Sequence, residues 1–219
     1  MKKWLSLMLA IVMVFLLVAC NSNPSSDGGK PEESSKPDGD KEKVEISRGT
    51  IDGDVYKNEY LGFQFTKPQS WVYSTDDEIA AMVELSADKI LGESFKNAAE
   101  NNPSVFDMMV VDSLTGTNIN LGYENLSKTF SSNITVSQYV EALKAQLAGV
   151  SGMTVTFPDT FGTAKLGNTE FTKVVCTAKA QGITMKQVYY LKKVDKFMSF
   201  VIVTIPSGYT VEQVEAMFK

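Results

Sequence analysis

Phe197-Met198-Ser199-Phe200-Val201-Ile202-Val203-Thr204-Ile205 is apolar at both parities of the chain. In a strand successive side chains point to opposite faces, so a run that is apolar on both must be covered on both. This stretch reads as the central strand of a sheet packed between two layers. Toward the N-terminus lie two more strand-like runs, Thr184 to Val194 and Thr169 to Ala180. The links Ala180-Gln181-Gly182-Ile183 and Lys193-Val194-Asp195-Lys196 are hairpin-short, so the three runs form an antiparallel meander. Toward the C-terminus, Thr210 to Gln213 has the spacing of a capping box, in which a hydroxyl and a side-chain amide satisfy two free backbone N–H groups. A short final helix follows, presenting Val211, Val214, Met217 and Phe218.

Upstream of the meander the same signals repeat. Leu61, Phe63 and Phe65 alternate along one strand that Pro68 ends, and Trp71-Val72-Tyr73 resumes extended structure. Thr75 to Glu78 is a capping box opening a helix with Ile79, Met82, Val83, Ala87, Ile90, Leu91, Phe95 and Ala98 on its apolar stripe. Gly92 is a possible break in it, and Asn101-Asn102-Pro103 is its stop. Val105 to Val111 and Asn118 to Tyr123 are strands joined through Gly116. A second helix opens at Thr135 with Gln138, buries Val136, Val140, Leu143 and Leu147, and stops at Gly149. Thr154 to Phe157 is a further strand. The order β-β-α-β-β-α-β-β-β-β-α is α+β, with helices covering a mainly antiparallel sheet.

Tyr56-Lys57-Asn58-Glu59-Tyr60-Leu61-Gly62-Phe63-Gln64-Phe65-Thr66-Lys67-Pro68-Gln69-Ser70-Trp71 resembles the opening of PsbP-like domains, including those of exported lipoproteins of Gram-positive bacteria: an aromatic, a Gly-Phe-x-Phe strand, a Pro, then Trp. The resemblance runs over residues 56 to 219. It implies an α/β/α sandwich and a non-enzymatic, accessory role, and it carries no binding residue onto this chain.

The first residues read as targeting. Met1-Lys2-Lys3 is a positive start, and Trp4 to Val18 is an apolar run broken only by Ser6, short for a membrane span. Leu17-Val18-Ala19-Cys20 looks like the lipobox of bacterial lipoproteins, which implies a signal peptide over 1–19, cleavage between Ala19 and Cys20, and lipidation of Cys20. A plain secretory peptide or an uncleaved anchor are the other readings. Each buried methylene contributes about 0.8 kcal/mol, so a two-chain lipid holds durably where one chain binds reversibly. From Cys20 to Val55 the chain is rich in Pro, Ser, Gly and charge, too polar to offset chain entropy, and reads as a disordered linker over 20–55. Its root-mean-square reach is about 30 Å. The other possibility is that part of Val44 to Ile51 pairs as an edge strand. The folded domain is expected over 56–219, where aromatics become dense.

Composition narrows the chemistry. The 219 residues hold no His, which excludes imidazole-dependent nucleophile pairs and His-ligated metals. Without Lys2 and Lys3 the chain keeps 19 basic against 26 acidic residues, a charge of −7 that disfavours nucleic acid as a partner. After lipidation of Cys20 only Cys176 is left as a thiol, so no internal disulfide forms. It shares a face with Val174 and Ala178, which predicts a buried, inert group. Asp76, Asp77 and Glu78 sit where helix caps and dipoles favour acids. Asp107 and Asp112 fall on opposite faces of one strand, as strand-end solvation. The methionines Met82, Met108, Met109, Met153, Met185, Met198 and Met217 read as core filler. Ser113 to Asn120 lacks a phosphate-loop pattern. Asn125 and Asn133 lie in sequons of little weight for an exported bacterial chain. Tyr189 and Tyr190 face opposite sides of their strand, so at most one belongs to an exposed platform. Trp71 is expected to pack on the first helix.

No catalytic residue, metal site or cofactor is expected, and no ligand-binding residue is identified. The expectation is a bacterial, lipid-anchored domain on the extracytoplasmic face of the cell membrane that binds a protein or envelope component through a sheet edge or helix–sheet groove. A small-ligand-binding uptake accessory is the alternative, and a carboxylate-only hydrolase a third.

Overall fold

The structure, a computed structural model, describes residues 45–82 and 94–219. The proposed signal peptide, the lipobox Leu17 to Cys20, most of the linker, and Val83, Ala87, Ile90, Leu91 and Gly92 of the first expected helix lie outside the described residues.

The fold is α+β around one large antiparallel sheet. Its strand order is β4 (Trp71–Tyr73), β5 (Ser104–Asp112), β6 (Asn118–Asn125), β11 (Phe197–Ile205), β10 (Ile183–Val194), β9 (Thr169–Ala180) and β7 (Met153–Thr156). A further strand, β8 (Gly162–Leu166), also pairs with β9. The doubly apolar β11 lies at the centre of that order, buried at every position between β6 and β10. The β9–β10–β11 meander is continuous, and its hairpins turn through Gln181 and Asp195, both at positive φ, with Gly182 beside the first.

Each face of the large sheet has its own cover. One face carries α1 (Asp76–Met82), α3 (Leu126–Thr129) and α4 (Val136–Ala148), which bury Ile79, Leu126, Val140, Leu143 and Leu147 against Phe106, Met198 and Phe200. All three expected capping boxes form: Thr75 with Glu78, Thr135 with Gln138, and Thr210 with Gln213. The other face carries α2 (Ser94–Asn101), α5 (Val211–Glu215) and a second, three-stranded sheet of β1 (Thr50–Asp52), β2 (Val55–Asn58) and β3 (Phe63–Thr66). This cover is aromatic, with Tyr56, Phe63, Phe65, Phe95, Trp71 and Phe218 in one cluster. The backbone of Lys219 exchanges two hydrogen bonds of 2.8 Å with Gln64, so the C-terminal segment extends the small sheet.

Several expectations shift. The linker reading fails over its last residues, because Ile46 is buried and β1 pairs with β2. The ordered body thus starts ahead of Tyr56, and the edge-strand alternative describes β1. Trp71 is buried with Phe65 and donates Nε1–H to the Tyr209 hydroxyl at 2.9 Å, on the face opposite α1. Tyr189 and Tyr190 do face opposite sides, but both are core. Strands β1, β2 and β8 and the one-turn α3 are too short or too polar to stand out in the sequence.

Candidate functional site

The largest departure from the sequence reading is Asp107. Between Phe106 and Met108 the β5–β6 register shifts by one residue, and Asp107 is the extra residue of the bulge. A bulge breaks the period-two alternation, so Asp107 turns to the same face as Met108 and Val110. It is not solvated at a strand end but 1% exposed. Donors from three elements converge on it. The Gly49 N–H reaches both its oxygens at 3.0 and 3.1 Å, the Tyr56 hydroxyl donates at 2.7 Å, and Asn58 Nδ2 donates at 3.0 Å. Tyr123 donates at 3.3 Å and the Arg48 guanidinium stands 4.0 Å away. Burial pushes the Asp107 carboxyl up to about 6, against the pull of Tyr56, Gly49 and Arg48.

The backbone of this arrangement is residues 45–49, which cross the α2 side of the body as a strap. Ile46 fixes it by burial, Gly49 by its N–H on Asp107, and Arg48 by a charge-assisted hydrogen bond to Asp76. That bond holds the Asp76 carboxyl below the usual carboxylate range. Gly49 has a packing reason: a Cβ there would stand 2.3 Å from the Tyr56 ring. Asp76 therefore works as an ion-pair partner as well as a first-turn acid, while Glu78 serves as cap.

Two grooves flank the strap. One, of about 640 Å³, runs between Arg48, Thr50, Phe95 and Asn97. The second, of about 370 Å³, is lined by Glu45, Tyr60, Lys96, Asp195, Lys196 and Phe197. Its charges are largely spent on one another: Lys96 pairs with Glu45 at 2.8 Å, and Lys196 with Glu100 at 3.6 Å.

A second buried acid lies on the other face of the sheet. Glu124 on β6 is 2% exposed and accepts a hydrogen bond from the Tyr139 hydroxyl of α4 at 2.5 Å, with the Thr129 side chain also acting on its carboxylate. Its Oε1 has no hydrogen-bond partner, and neither does the hydroxyl of Ser104, its cross-strand neighbour. Desolvation raises the Glu124 carboxyl above its ordinary value. Only its place in the strand Asn118 to Tyr123, continued by two polar residues, hinted at it in the sequence.

The remaining candidates are structural. Cys176 is buried beside Val174, its thiol pushed up to about 12 by burial. Asp112 accepts from the N–H groups of Leu114 and Thr115 and from the Thr115 hydroxyl, closing the β5–β6 turn. Asn125 is buried, caps α3 and donates to Ala99 and Glu100, whereas Asn133 is exposed. Met108, Met109, Met185 and Met198 are core, and Met153 and Met217 pack at its margin. Among the described residues no three His, Cys, Asp or Glu side chains gather as a metal site.

No protein-family model and no curated protein matches the chain. Among solved structures it is similar to the cyanobacterial PsbP protein CyanoP of Synechocystis, at 9% identity over 83% of this chain and 97% of that one, with a TM-score of 0.44. It is also similar to a protein of Bacteroides thetaiotaomicron at 11% identity, over 77% of this chain and 48% of that one, with a TM-score of 0.38. A PsbP-domain protein thus stands among its structural neighbours, and at these identities and TM-scores neither likeness carries a statement of function.

Proposed function

We propose that the chain is a lipid-anchored accessory module of the bacterial cell membrane, attached through Cys20 and facing outward, that acts by binding a protein or envelope component rather than by catalysis. The anchor reading rests on Leu17-Val18-Ala19-Cys20 closing an apolar segment. The binding reading is carried by the use made of the acids: Asp76 and Asp107 are tied into the strap that walls both grooves, so the grooves offer a shaped surface of paired charges. The experiment is Cys20→Ala in the native host with radiolabelled palmitate, followed by a pull-down from detergent-solubilised membranes alongside ester, peptide, phosphate and glycoside substrates. Label on the wild type alone, one specific partner and no turnover are expected. Equal labelling of both forms overturns the anchor, and turnover lost on mutating one Asp or Glu overturns the binding reading.

A small-ligand role is favoured by one observation, the 640 Å³ groove, a volume within the range of small-molecule sites. Its wall residue Arg48 is committed to Asp76. A ligand class that raises the melting temperature of the wild type and leaves the Phe95→Ala variant unshifted would favour this reading.

A further inference from the structure

One exposed surface has a regularity that packing does not require. At a corner of the large sheet, where the edge strand β7 meets the β9–β10 hairpin, six exposed side chains form two rows. Register places Thr154, Lys179 and Thr184 in one row and Thr156, Thr177 and Lys186 in the next. Strands lie about 4.8 Å apart and same-face neighbours along a strand about 6.8 Å apart, so the grid is a flat patch of roughly 10 by 7 Å between Cα positions. Ala178, Ala180 and Met185 pack together behind it. Neither Lys179 nor Lys186 forms an ion pair among the described residues, whereas Lys173, further along the same face, is held by Glu215 at 2.7 Å. Glu212 is the acid placed to feel Lys186.

The chain as a whole is anionic, at −7 without Lys2 and Lys3. An anionic surface repels such a molecule except where cations stand in front, so this corner sets its orientation. The strap lies on the same side of the large sheet, since Ile46 belongs to the aromatic cluster that includes Phe171 of β9, whose face the grid continues. It sits at the other end of β10, where Ile46 and Phe197 line one groove. At about 3.3 Å per residue the two ends are some 35–40 Å apart.

We propose that the Lys179/Lys186 grid docks on the anionic phosphate headgroups of the membrane to which the chain is tethered, so that the body lies along the bilayer. This rests on the lipid-anchor reading above. A lysine near an anionic leaflet contributes about 1 kcal/mol, so two give a bias of roughly 30-fold. That is too weak to recruit a free protein and sufficient for one already held at millimolar effective concentration by its tether.

The test uses the chain from Asn21, with an N-terminal hexahistidine tag, held on vesicles by a nickel-chelating lipid. The chain has no His of its own, so attachment is through the tag alone. A donor dye on Ser151→Cys, in the turn beside the grid, reports energy transfer to a labelled lipid, with Cys176 silent because it is buried. Transfer should be high on vesicles with 30% phosphatidylglycerol, low on pure phosphatidylcholine, and lost in 0.5 M salt. Lys179→Gln with Lys186→Gln should lower the docked-to-free ratio roughly 30-fold, and the double Glu variant should lower it further, with melting temperatures unchanged. The exposed pair Lys57→Glu and Lys128→Glu should leave the ratio within about threefold. Equal transfer on both lipids, or equal loss from the control pair, overturns the proposal. So does binding of soluble polyphosphate without docking on phosphatidylglycerol, which would assign the grid to a free polyanion. Because attachment does not use Cys20, failure of palmitate labelling sinks the anchor and leaves this measurement standing.

Discussion

Asp107 and Glu124 lie on neighbouring strands, are buried to the same degree, and project to opposite faces of one sheet, yet their surroundings differ. Asp107 draws four direct donors and a nearby guanidinium. Glu124 has Tyr139 and an orphaned oxygen beside an orphaned hydroxyl. Burying a carboxylate is costly unless its hydrogen-bonding capacity is met. On the strap side that capacity is met by the strap, β2 and β6 together, so Asp107 ties its cover to the large sheet. On the α4 side the cover is held by Leu143, Leu147 and Phe200, and Glu124 is carried along with it. A buried acid is therefore an architectural element on one face and an expense on the other.

The comparison breaks most directly at Asp107. Replacing it by Ala leaves the Tyr56 and Tyr123 hydroxyl hydrogens and the Gly49 N–H without their acceptor, with Asn58 still bonded to both hydroxyls, and urea unfolding should show a loss of about 3–5 kcal/mol. A loss below about 1 kcal/mol would remove its architectural role. The pH dependence sharpens the contrast. A folded value near 6 against 3.8 unfolded means the native state binds the extra proton. The associated stability is fully present below about pH 3.8 and lost as pH rises through 6, amounting to about 3 kcal/mol. Asp107→Asn should flatten that part of the profile, leaving a residual slope of the same sign from Glu124, whose carboxyl is also raised.

Smaller effects are expected on the other face. Glu124→Gln keeps an acceptor for Tyr139 and removes the charge, and its midpoint in urea should move by less than about 1 kcal/mol in either direction. A loss as large as that of Asp107→Ala would make the two acids equivalent. The baseline is Leu114→Ser, at a side chain 82% exposed, which should stay within about 0.5 kcal/mol by thermal melting.

The frame was legible where local signals repeat. Residues Phe197 to Ile205 announce a strand covered twice, and the three capping boxes mark helix starts by residue type and spacing alone. The site was legible only in part. The period-two rule places Asp107 and Asp112 on opposite faces, and a single inserted residue reverses that; no residue type in Val105-Phe106-Asp107-Met108 marks the bulge. The strap was hidden because it adheres through the Gly49 N–H, the buried Ile46 and the ion pairs of Glu45 and Arg48, none of which alters composition over Glu45 to Val55. Glu124 and Ser104 face each other only through strand register, which alternation within either strand cannot supply.

The strap is also a mechanical element. Any pull through the residues preceding Glu45 is met first by the Glu45–Lys96 pair, the Ile46 contact, the Arg48–Asp76 bond and the Gly49 bonds to Asp107. Beyond them lies β1, held to β2 by three registered pairs that such a load opens in succession, Thr50 from Lys57, then Ile51 from Tyr56, then Asp52 from Val55. Unzipping proceeds bond by bond, whereas the long meander would have to be sheared across many bonds together. The segment from Glu45 to Asp54 thus acts as a fuse, releasing roughly 35 Å of chain before the large sheet bears load.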